Sequence, residues 1–205
     1  MRKIISNLFI SLDGVVEEPG DWHLPYFNDE MGAAVDAVLG SADTLLLGRK
    51  TYDDHAGAWP ELEAAGGEDA EFAKVLGDAR KIVVSRQRPE LTWRNSEQLQ
   101  GDLIEGVTTL KNEPGDGHIA MSGSISVVRQ LLAAGLLDEL HLLVHPIAVR
   151  TGMRLFDEGE RPIPLRLISS EAFSTGVLNL VYGPAEATGD ATYEDAKVHL
   201  SQPEQ

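Results

Sequence analysis

The 205-residue chain carries 33 Asp and Glu against 17 Lys and Arg, a formal net charge of −16, and it has no cysteine. The lack of cysteine excludes disulfides, thiolate nucleophiles and cysteine-ligated metal sites. Because a surface this acidic repels a phosphate backbone, we expect no nucleic-acid partner. A phosphorylated cofactor would have to be held by helix N-termini and a few arginines.

Strand and helix patterns alternate through the first two-thirds of the chain. Apolar, β-branched runs predict strands at 3–12, 44–47, 80–85, 118–121 and 139–149. Helical spacing and capping residues predict helices at 28–39, 71–76, 102–112 and 125–134, and a further helix that begins after Gly48. The order of these elements predicts a mostly parallel, twisted sheet with helices on both faces.

The last third of the chain changes pattern. Two strand-like runs, 165–169 and 177–182, are joined by Ser174-Thr175-Gly176 and indicate an antiparallel pair at the sheet edge. From residue 185 onward the composition is polar. We therefore predict one three-layer α/β/α domain over residues 1–184, with an antiparallel C-terminal edge, and a polar tail over 185–205.

The first strand-to-helix junction whose residues could bind a ligand is Gly48-Arg49-Lys50-Thr51. A glycine at a strand end lets a ligand approach the backbone, and the following helix offers free N–H groups and the positive end of its dipole. Arg49 adds a charge and Thr51 a hydroxyl. The alternative is an ordinary turn with a surface arginine.

A second junction, Ser122-Gly123-Ser124-Ile125, again joins a strand to a helix, and its serines can either donate to an anion or simply cap the helix. A third, Ser85-Arg86, follows another strand. All three lie at carboxyl ends of predicted strands, which is where ligands bind in open α/β sheets. The chain has no Gly-x-Gly-x-x-Gly motif, so an ordinary Rossmann site is not expected.

Taken in order, these motifs resemble the dihydrofolate-reductase-like superfamily, and most closely stand-alone relatives of the RibD C-terminal reductase domain of bacterial riboflavin biosynthesis. The resemblance runs from residue 3 to 182. The most specific stretch, Leu-Leu-Ala-Ala-Gly-Leu-Leu-Asp-Glu-Leu at 131–140, marks a helix end and a strand start. The other matching segments are Ser11-Leu12-Asp13-Gly14, Leu47-Gly48-Arg49-Lys50-Thr51, Val84-Ser85-Arg86, Ser122-Gly123-Ser124, Pro146 and Leu155-Phe156.

The resemblance implies NADPH binding and hydride transfer. Arg49 and Arg86 are the implied contacts for the 2′-phosphate or adenine side, which would favour NADPH over NADH. The nicotinamide would meet the backbone near Leu12 to Gly14. The implied cofactor-binding set is Leu12, Gly14, Gly48, Arg49, Thr51, Ser85, Arg86, Ser122, Gly123, Ser124 and Ile125.

The implied substrate half departs from the family. Riboflavin-pathway reductases usually have Glu-Gly-Gly where this chain has Ser122-Gly123-Ser124, and that glutamate contacts the substrate. Dihydrofolate reductases have an acid two residues after a Trp-x-Leu-Pro stretch, where this chain has Phe27 after Trp22-His23-Leu24-Pro25.

Several residues remain candidates for the substrate side. His23 is a possible proton donor because a histidine titrates in the useful range, and Asp13 is either a catalytic and substrate-binding carboxylate or a turn former. Trp22, Phe27 and Trp59 are possible pocket walls, with loop packing as the alternative. His141 and His145 would lie roughly 13 Å apart along one strand, too far to share a metal, so no metal site is predicted.

Together with these junctions, the resemblance implies an NADPH-dependent oxidoreductase that reduces a C=N or C=O bond of a small molecule such as a pteridine or pyrimidine. The alternatives are a non-catalytic NADP(H)-binding sensor of the same fold and a pathway subunit acting with a separate deaminase. No signal peptide is visible and no apolar run reaches the ~18 residues of a membrane helix. We expect a cytoplasmic protein without a membrane partner, and the resemblance implies a homodimer.

Overall fold

The computed structural model describes residues 1–156, 162–186, 189 and 192–197. The strands are β1 (Ile4–Ser11), β2 (Thr44–Gly48), β3 (Arg80–Val84), β4 (Ser96–Gln98), β5 (Ile119–Met121), β6 (Glu139–His145), β7 (Leu165–Ala172) and β8 (Leu178–Pro184). The α-helices are α1 (Asp29–Val35), α2 (Arg49–Ala65), α3 (Ala70–Asp78), α4 (Leu103–Asn112), α5 (Ile125–Ala133) and α6 (Tyr193–Lys197). Two 3-10 turns, Pro19–Asp21 and Leu24–Tyr26, precede α1, and a π-helical turn, Asp36–Gly40, extends it.

All eight strands form one sheet in the order β4-β3-β2-β5-β1-β6-β8-β7. Neighbours from β4 to β6 pair in parallel, whereas β8 runs antiparallel to β6 and β7 antiparallel to β8. The predicted α/β class, with a mostly parallel sheet and an antiparallel C-terminal edge, is confirmed.

Alternating side chains along the strands build a core on each face of the sheet. On one face, α4 and α5 contribute Val107, Val128 and Leu131 to the larger core. On the other face, Tyr52 of α2 and Leu76 of α3 pack against β2 and β3. The arrangement is the predicted three-layer α/β/α architecture.

Capping residues determine where two helices begin. The Asn28 side chain accepts a hydrogen bond from the Met31 N–H at the start of α1, and Asp102 accepts from Ile104 and Glu105 at the start of α4. Each satisfies N–H groups that lack a partner within the helix. The sequence itself therefore fixes where α1 and α4 begin.

The structure differs from the predicted elements in three places. The strand predicted at 139–149 ends at His145 because the next residue, Pro146, has no N–H to donate to a neighbouring strand. The three-residue β4 was not predicted. Within the predicted tail, Tyr193–Lys197 form a short helix, and residues 187–188, 190–191 and 198–205 lie outside the described part of the chain. Among the residues described, no helix combines the length and apolar character needed to cross a membrane.

Candidate active site

The predicted cofactor residues lie at one edge of the sheet, where the parallel strands end. β2 ends at Gly48 and continues through α2 toward β3, while β5 ends at Met121 and continues through α5 toward β6 on the opposite side. Chains that leave neighbouring strands in opposite directions open a crevice between them, the usual ligand position in α/β sheets. The Gly48 and Ser122–Ser124 junctions flank this crevice.

The two junctions touch each other. A Cβ placed on Gly48 would lie 2.3 Å from the Ser124 Cβ, and one placed on Gly123 would lie 3.1 Å from the Thr51 Oγ1. The Gly123–Ser124 peptide bond is cis. Both glycines therefore allow the start of α2 and the start of α5 to meet at backbone distance.

The starts of α2 and α5 also share an open electrostatic character. Neither has a side-chain cap hydrogen bond or an acidic residue in its first turn, unlike α1 and α4. Their first N–H groups and positive dipole ends are therefore available to an anion. Two such ends in contact make a suitable cradle for a pyrophosphate.

A groove of about 960 Å³ runs from this contact toward β3 and β4. It contains Arg49, whose Nη1 lies 2.6 Å from the Asp53 Oδ2. It also contains Arg86, which makes no ion pair within the residues that the structure describes. The groove is lined by Gly48, Arg49, Lys50, Val84, Ser85, Arg86, Gln98, Leu99, Gln100, Gly101, Asp102, Leu103, Ser124, Ser126, Val127 and Gln130.

The loop that carries Arg86 is held by a residue that the sequence analysis missed. The Gln98 Nε2 donates to the carbonyl oxygens of Ser85 at 3.0 Å and Gln87 at 3.1 Å, and the Gln87 N–H donates to the Ser85 Oγ. Gln98 ends β4, so its place beside Arg86 depends on a strand too short to predict. Ser85 shapes this loop as well as lining the groove.

Asp13 joins the end of β1 to the loop after β6. Its carboxylate accepts hydrogen bonds from the Ser11 Oγ at 2.7 Å and from the N–H groups of Val149 at 3.0 Å and Arg150 at 2.9 Å. These bonds, that of Ser11 first, lower the pKa of Asp13 below its ordinary value. Asp13 is therefore an ionised loop-forming residue here, and a poor proton donor.

A second groove, of about 480 Å³, lies on the other side of the same edge. It separates the segment before α1 from the loop after β6 and contains Trp22, Ile147 and Thr151. Trp22 is only 7 % exposed, and its Nε1 donates to the Glu17 carbonyl at 3.2 Å. Trp22 thus forms both a wall of this groove and a support of the loop.

His23 is part of the same segment before α1, and its ring packs against β1. Its ring stacks on Phe9 with a centroid distance of 4.2 Å and contacts His145 edge-on at 5.9 Å. Burial first, and the neighbouring His145 second, lower the pKa of His23. A neutral His23 at neutral pH is a weak proton donor.

Several buried polar side-chain atoms have no hydrogen-bond partner in the described structure, and the Asn7 Nδ2 of β1 and the Ser122 Oγ just after β5 are two of them. β1 pairs with β5 so that Ile5 lies beside Ala120 and Ser6 beside Met121. Asn7 and Ser122 each follow the last residues paired between the two strands, Ser6 and Met121. Asn7 was not singled out from the sequence, although a polar Ser6-Asn7 pair inside an apolar strand is a signal for it.

The remaining predicted residues divide between exposed edge and core. Leu12 is 70 % and Phe27 49 % exposed, and a Cβ on Gly14 would meet no atom within 4 Å, so all three are open to a ligand. Ile125 starts α5 and packs against the larger core. Trp59 lies apart from these residues, in the contact between α2 and α3, where it packs on Phe72 at 5.5 Å.

Comparisons with known proteins agree with this architecture. The RibD C-terminal domain family matches residues 2–179. The uncharacterized protein YyaP of Bacillus subtilis (strain 168) is 31% identical over 184 residues, which cover 88% of this chain and 94% of YyaP.

Two solved structures share the fold. A suspected riboflavin biosynthesis protein from Shewanella sp. PV-4 superposes with a TM-score of 0.68 at 20% identity, over 91% of this chain and 100% of that one. Dihydrofolate reductase from Enterococcus faecalis, complexed with NADP(H) and RAB-propyl, superposes with a TM-score of 0.57 at 14% identity, over 90% and 97% of the two chains. With a dihydrofolate-reductase-like fold and a family match over nearly all of its sheet, the chain belongs to the RibD C-terminal domain family, a family of reductase type.

Proposed function

We propose that the chain is an NADPH-dependent reductase that transfers a hydride to a C=N or C=O bond of a small molecule such as a pteridine or pyrimidine. One observation carries the proposal: the uncapped starts of α2 and α5 touch at Gly48 and Ser124 beside a groove that contains Arg86, which has no ion pair among the residues that the structure describes. Family membership and the NADP(H)-bound dihydrofolate reductase among the structural relatives support the same cofactor class.

In this proposal different residues of the groove bind different parts of NADPH. The N–H groups that follow Gly48 and Ser124 hold the phosphates, since helix starts stabilise negative charge. Arg86 holds the 2′-phosphate, because a guanidinium can bind it through two parallel hydrogen bonds. Arg49 contributes more weakly, since Asp53 already compensates its charge.

The substrate half relies on neutral groups. When bound, the reduced nicotinamide supplies the hydride. Asn7 and Ser122 contribute an amide nitrogen and a hydroxyl that are buried without a hydrogen-bond partner in the described structure. Asp13 holds the adjacent loop, and water supplies the proton, because the lowered pKa values of Asp13 and His23 make both poor donors near neutral pH.

A second candidate is an NADP(H)-binding protein without catalysis. It is favoured by the same substrate half, where Ser122 and Phe27 stand at the positions of the acids that relatives use. A sensor would need the cofactor groove and no acid. The two candidates therefore predict equal cofactor binding and different turnover.

Titration of the protein with NADPH and with NADH, followed by fluorescence, tests the cofactor assignment. We expect saturable NADPH binding that is at least tenfold tighter than NADH binding. Absence of NADPH binding would overturn both candidates. Oxidation of NADPH in the presence of dihydrofolate or the riboflavin-pathway pyrimidine would establish the reductase; binding without turnover of a panel of pteridines and pyrimidines would favour the sensor.

We extend the proposal to a cytoplasmic homodimer. The edge strand β7 supports the dimer, because Leu167 and Ile168 on it are 49 % and 46 % exposed and an unpaired edge favours association. Light scattering behind size-exclusion chromatography should give twice the 22.2 kDa chain mass. A monomer mass at micromolar concentration would remove this part of the proposal and leave the cofactor assignment standing.

A further inference from the structure

The segment 18–27, called the lid segment below, is attached to the sheet almost entirely by aromatic contacts. Each of its described backbone hydrogen bonds closes within the segment, as from Trp22 to Pro19 and from Tyr26 to His23. Its charged tie to the rest of the molecule is the exposed pair of Glu18 with Lys50 at 3.9 Å. Rings therefore hold the lid segment in place.

The centre of this attachment is His145, the last residue of β6, which is fully buried. Three rings of the lid segment contact it edge-on, those of Trp22 at 5.2 Å, Tyr26 at 5.7 Å and His23 at 5.9 Å. Phe9 of β1 completes the cluster, stacked on His23 at 4.2 Å. Two titratable rings thus lie face to edge inside an apolar box.

Each ring has a buried nitrogen that, if protonated, would have no hydrogen-bond acceptor among the described residues. The His145 Nδ1 donates to the Leu143 carbonyl at 2.8 Å, which leaves its Nε2 without a hydrogen-bond partner. The His23 Nδ1 is likewise buried without one. A proton added to either nitrogen would place an unpaired charge in a buried site, and charging both would add repulsion between them.

The charged groups of the surrounding elements are engaged elsewhere. Asp13 at the end of β1 bonds to the backbone of the loop after β6, and Glu17 accepts from the Met153 N–H at 2.9 Å. Glu30 of α1 bonds to Ser174.

Two further titratable groups lie on the packed elements. His141, on the same face of β6, bonds to Glu139 at 2.9 Å, and Tyr26 contributes its ring to the cluster. Burial is the main cause that lowers the pKa of both His23 and His145. Hydrogen bonds with the backbone of Leu143 and Ile10 partly oppose this effect at His145, and no carboxylate acts to raise either pKa.

We propose that His23 and His145 form a pH-sensitive latch, which holds the lid segment closed at neutral pH and releases it when either ring is protonated. The physical sequence is local: the proton enters, the charged ring needs water, and the lid segment moves away to admit it. Release would disturb the Trp22 wall of the second groove. That consequence for the substrate side rests on the proposed function, whereas the opening itself does not.

The direction follows from linkage. An open lid segment leaves the histidines near their ordinary pKa of 6.5, and the closed segment lowers it. The open state therefore binds more protons, and closure weakens as the pH falls below about 6.5. Above that value both states are neutral and closure is independent of pH.

Hydrogen exchange of the full chain at pH 7.5 and pH 5, corrected for the intrinsic exchange rate, tests the latch. Peptides from the lid segment should lose protection at least tenfold between the two pH values, while peptides from β2 and β5 keep theirs. Equal changes in all peptides would mean global unfolding and would overturn the proposal, as would an unchanged lid segment.

Variants assign the effect to the two rings. His23→Phe combined with His145→Phe keeps an aromatic box without titratable groups, and its lid segment should exchange equally at both pH values. The matched control, His141→Gln, removes a histidine from the same strand and should behave as the parent. If the double variant fails to fold, His23→Phe alone should still reduce the loss of lid-segment protection between pH 7.5 and pH 5. The latch would be overturned if this variant kept the full loss and if NMR showed the His145 ring titrating outside the pH range in which the lid segment opens. NADPH binding is measured in a separate experiment, so the hydrogen-exchange result still tests the latch if the protein does not bind NADPH.

Discussion

Gly48 and Ser124 are in direct contact where the starts of α2 and α5 meet: a Cβ on Gly48 would lie 2.3 Å from the Ser124 Cβ and 2.7 Å from its Oγ. The backbone at Gly48, with φ −70° and ψ 156°, is one that alanine adopts freely. Any effect of Gly48→Ala therefore comes from the contact. We expect it to raise the NADPH dissociation constant about tenfold or more and to lower stability by about 1–3 kcal/mol, as overpacking does.

Gly57 provides the matched control in the same helix. A Cβ there would meet no atom within 4 Å, so Gly57→Ala should leave NADPH affinity unchanged and stabilise α2 by about 0.5–1 kcal/mol. Fluorescence titration and thermal unfolding of both variants measure the two effects. Equal NADPH affinity in Gly48→Ala and Gly57→Ala would show that the contact of the two helix starts is irrelevant to the cofactor.

Arg86 should discriminate between the two nicotinamide cofactors. It lines the groove, and a hydrogen-bonded contact to a charged group contributes about 1.5–3 kcal/mol, so Arg86→Ala should weaken NADPH about 10- to 100-fold and NADH less than threefold. Arg88→Ala removes the same charge two residues along the loop without touching the groove, and should change neither affinity appreciably. Equal losses for NADPH and NADH in Arg86→Ala would contradict a 2′-phosphate role.

The grouping of the proposed cofactor residues at one edge of the sheet could be predicted, because it depends on local order. Gly48, Arg86 and Ser124 each follow a strand, and parallel strands bring their carboxyl ends to one edge whatever their order in the sheet. No knowledge of which strands are neighbours was needed.

The substrate half could not be predicted, because it depends on neighbours distant in the chain. Asn7 and the chain that leads to Ser122 lie on neighbouring strands only because β5 is inserted beside β1. His23 meets His145 only because the lid segment folds over β6. Gln98 was missed for a different reason: three residues in β4 carry no periodic pattern, and their pairing with Lys81 to Val83 creates the strand.

Asp13 should stabilise the loop after β6 in a pH-dependent way. The hydrogen bond from Ser11 and those from the backbone lower the pKa of Asp13 below the ordinary value of 3.8, so its contribution is complete above that value and is lost as the pH falls through the folded-state pKa. Asp13→Asn, which keeps one acceptor oxygen and loses the charge, should lower the Tm at pH 7. The difference from the parent should shrink at pH 2–3. Asp53→Asn, which breaks only an exposed pair with Arg49, should change the Tm little at either pH. A difference for Asp13→Asn that is constant with pH would contradict an ionised role.

Lys81 should also make the free energy of unfolding rise with pH, but at the alkaline end of the range. Its side chain is fully buried, its Nζ donates to the carbonyls of Leu76 at 3.0 Å and Gly77 at 2.6 Å, and it lies 4.2 Å from the centre of the Trp93 ring. Burial lowers the pKa of Lys81 to about 8, although these contacts favour the charged amine.

Between pH 8 and 10.5 the unfolded chain holds a proton on Lys81 that the folded chain has released, so the free energy of unfolding should rise with pH in this window. The rise amounts to roughly 3 kcal/mol, the free energy that corresponds to lowering the pKa of Lys81 from its ordinary 10.5 to about 8. Lys81→Met fills the same buried space without a titratable group. Urea unfolding at pH 7.5, 9 and 10.5 should show the free energy of unfolding of the unsubstituted protein rising by that amount relative to this variant. Lys74→Met, which removes an exposed lysine paired with Asp78, should run parallel to the parent over the same range. If the parent and Lys81→Met kept a constant difference, Lys81 would be charged inside the fold throughout, with its two carbonyls and Trp93 outweighing the cost of burial.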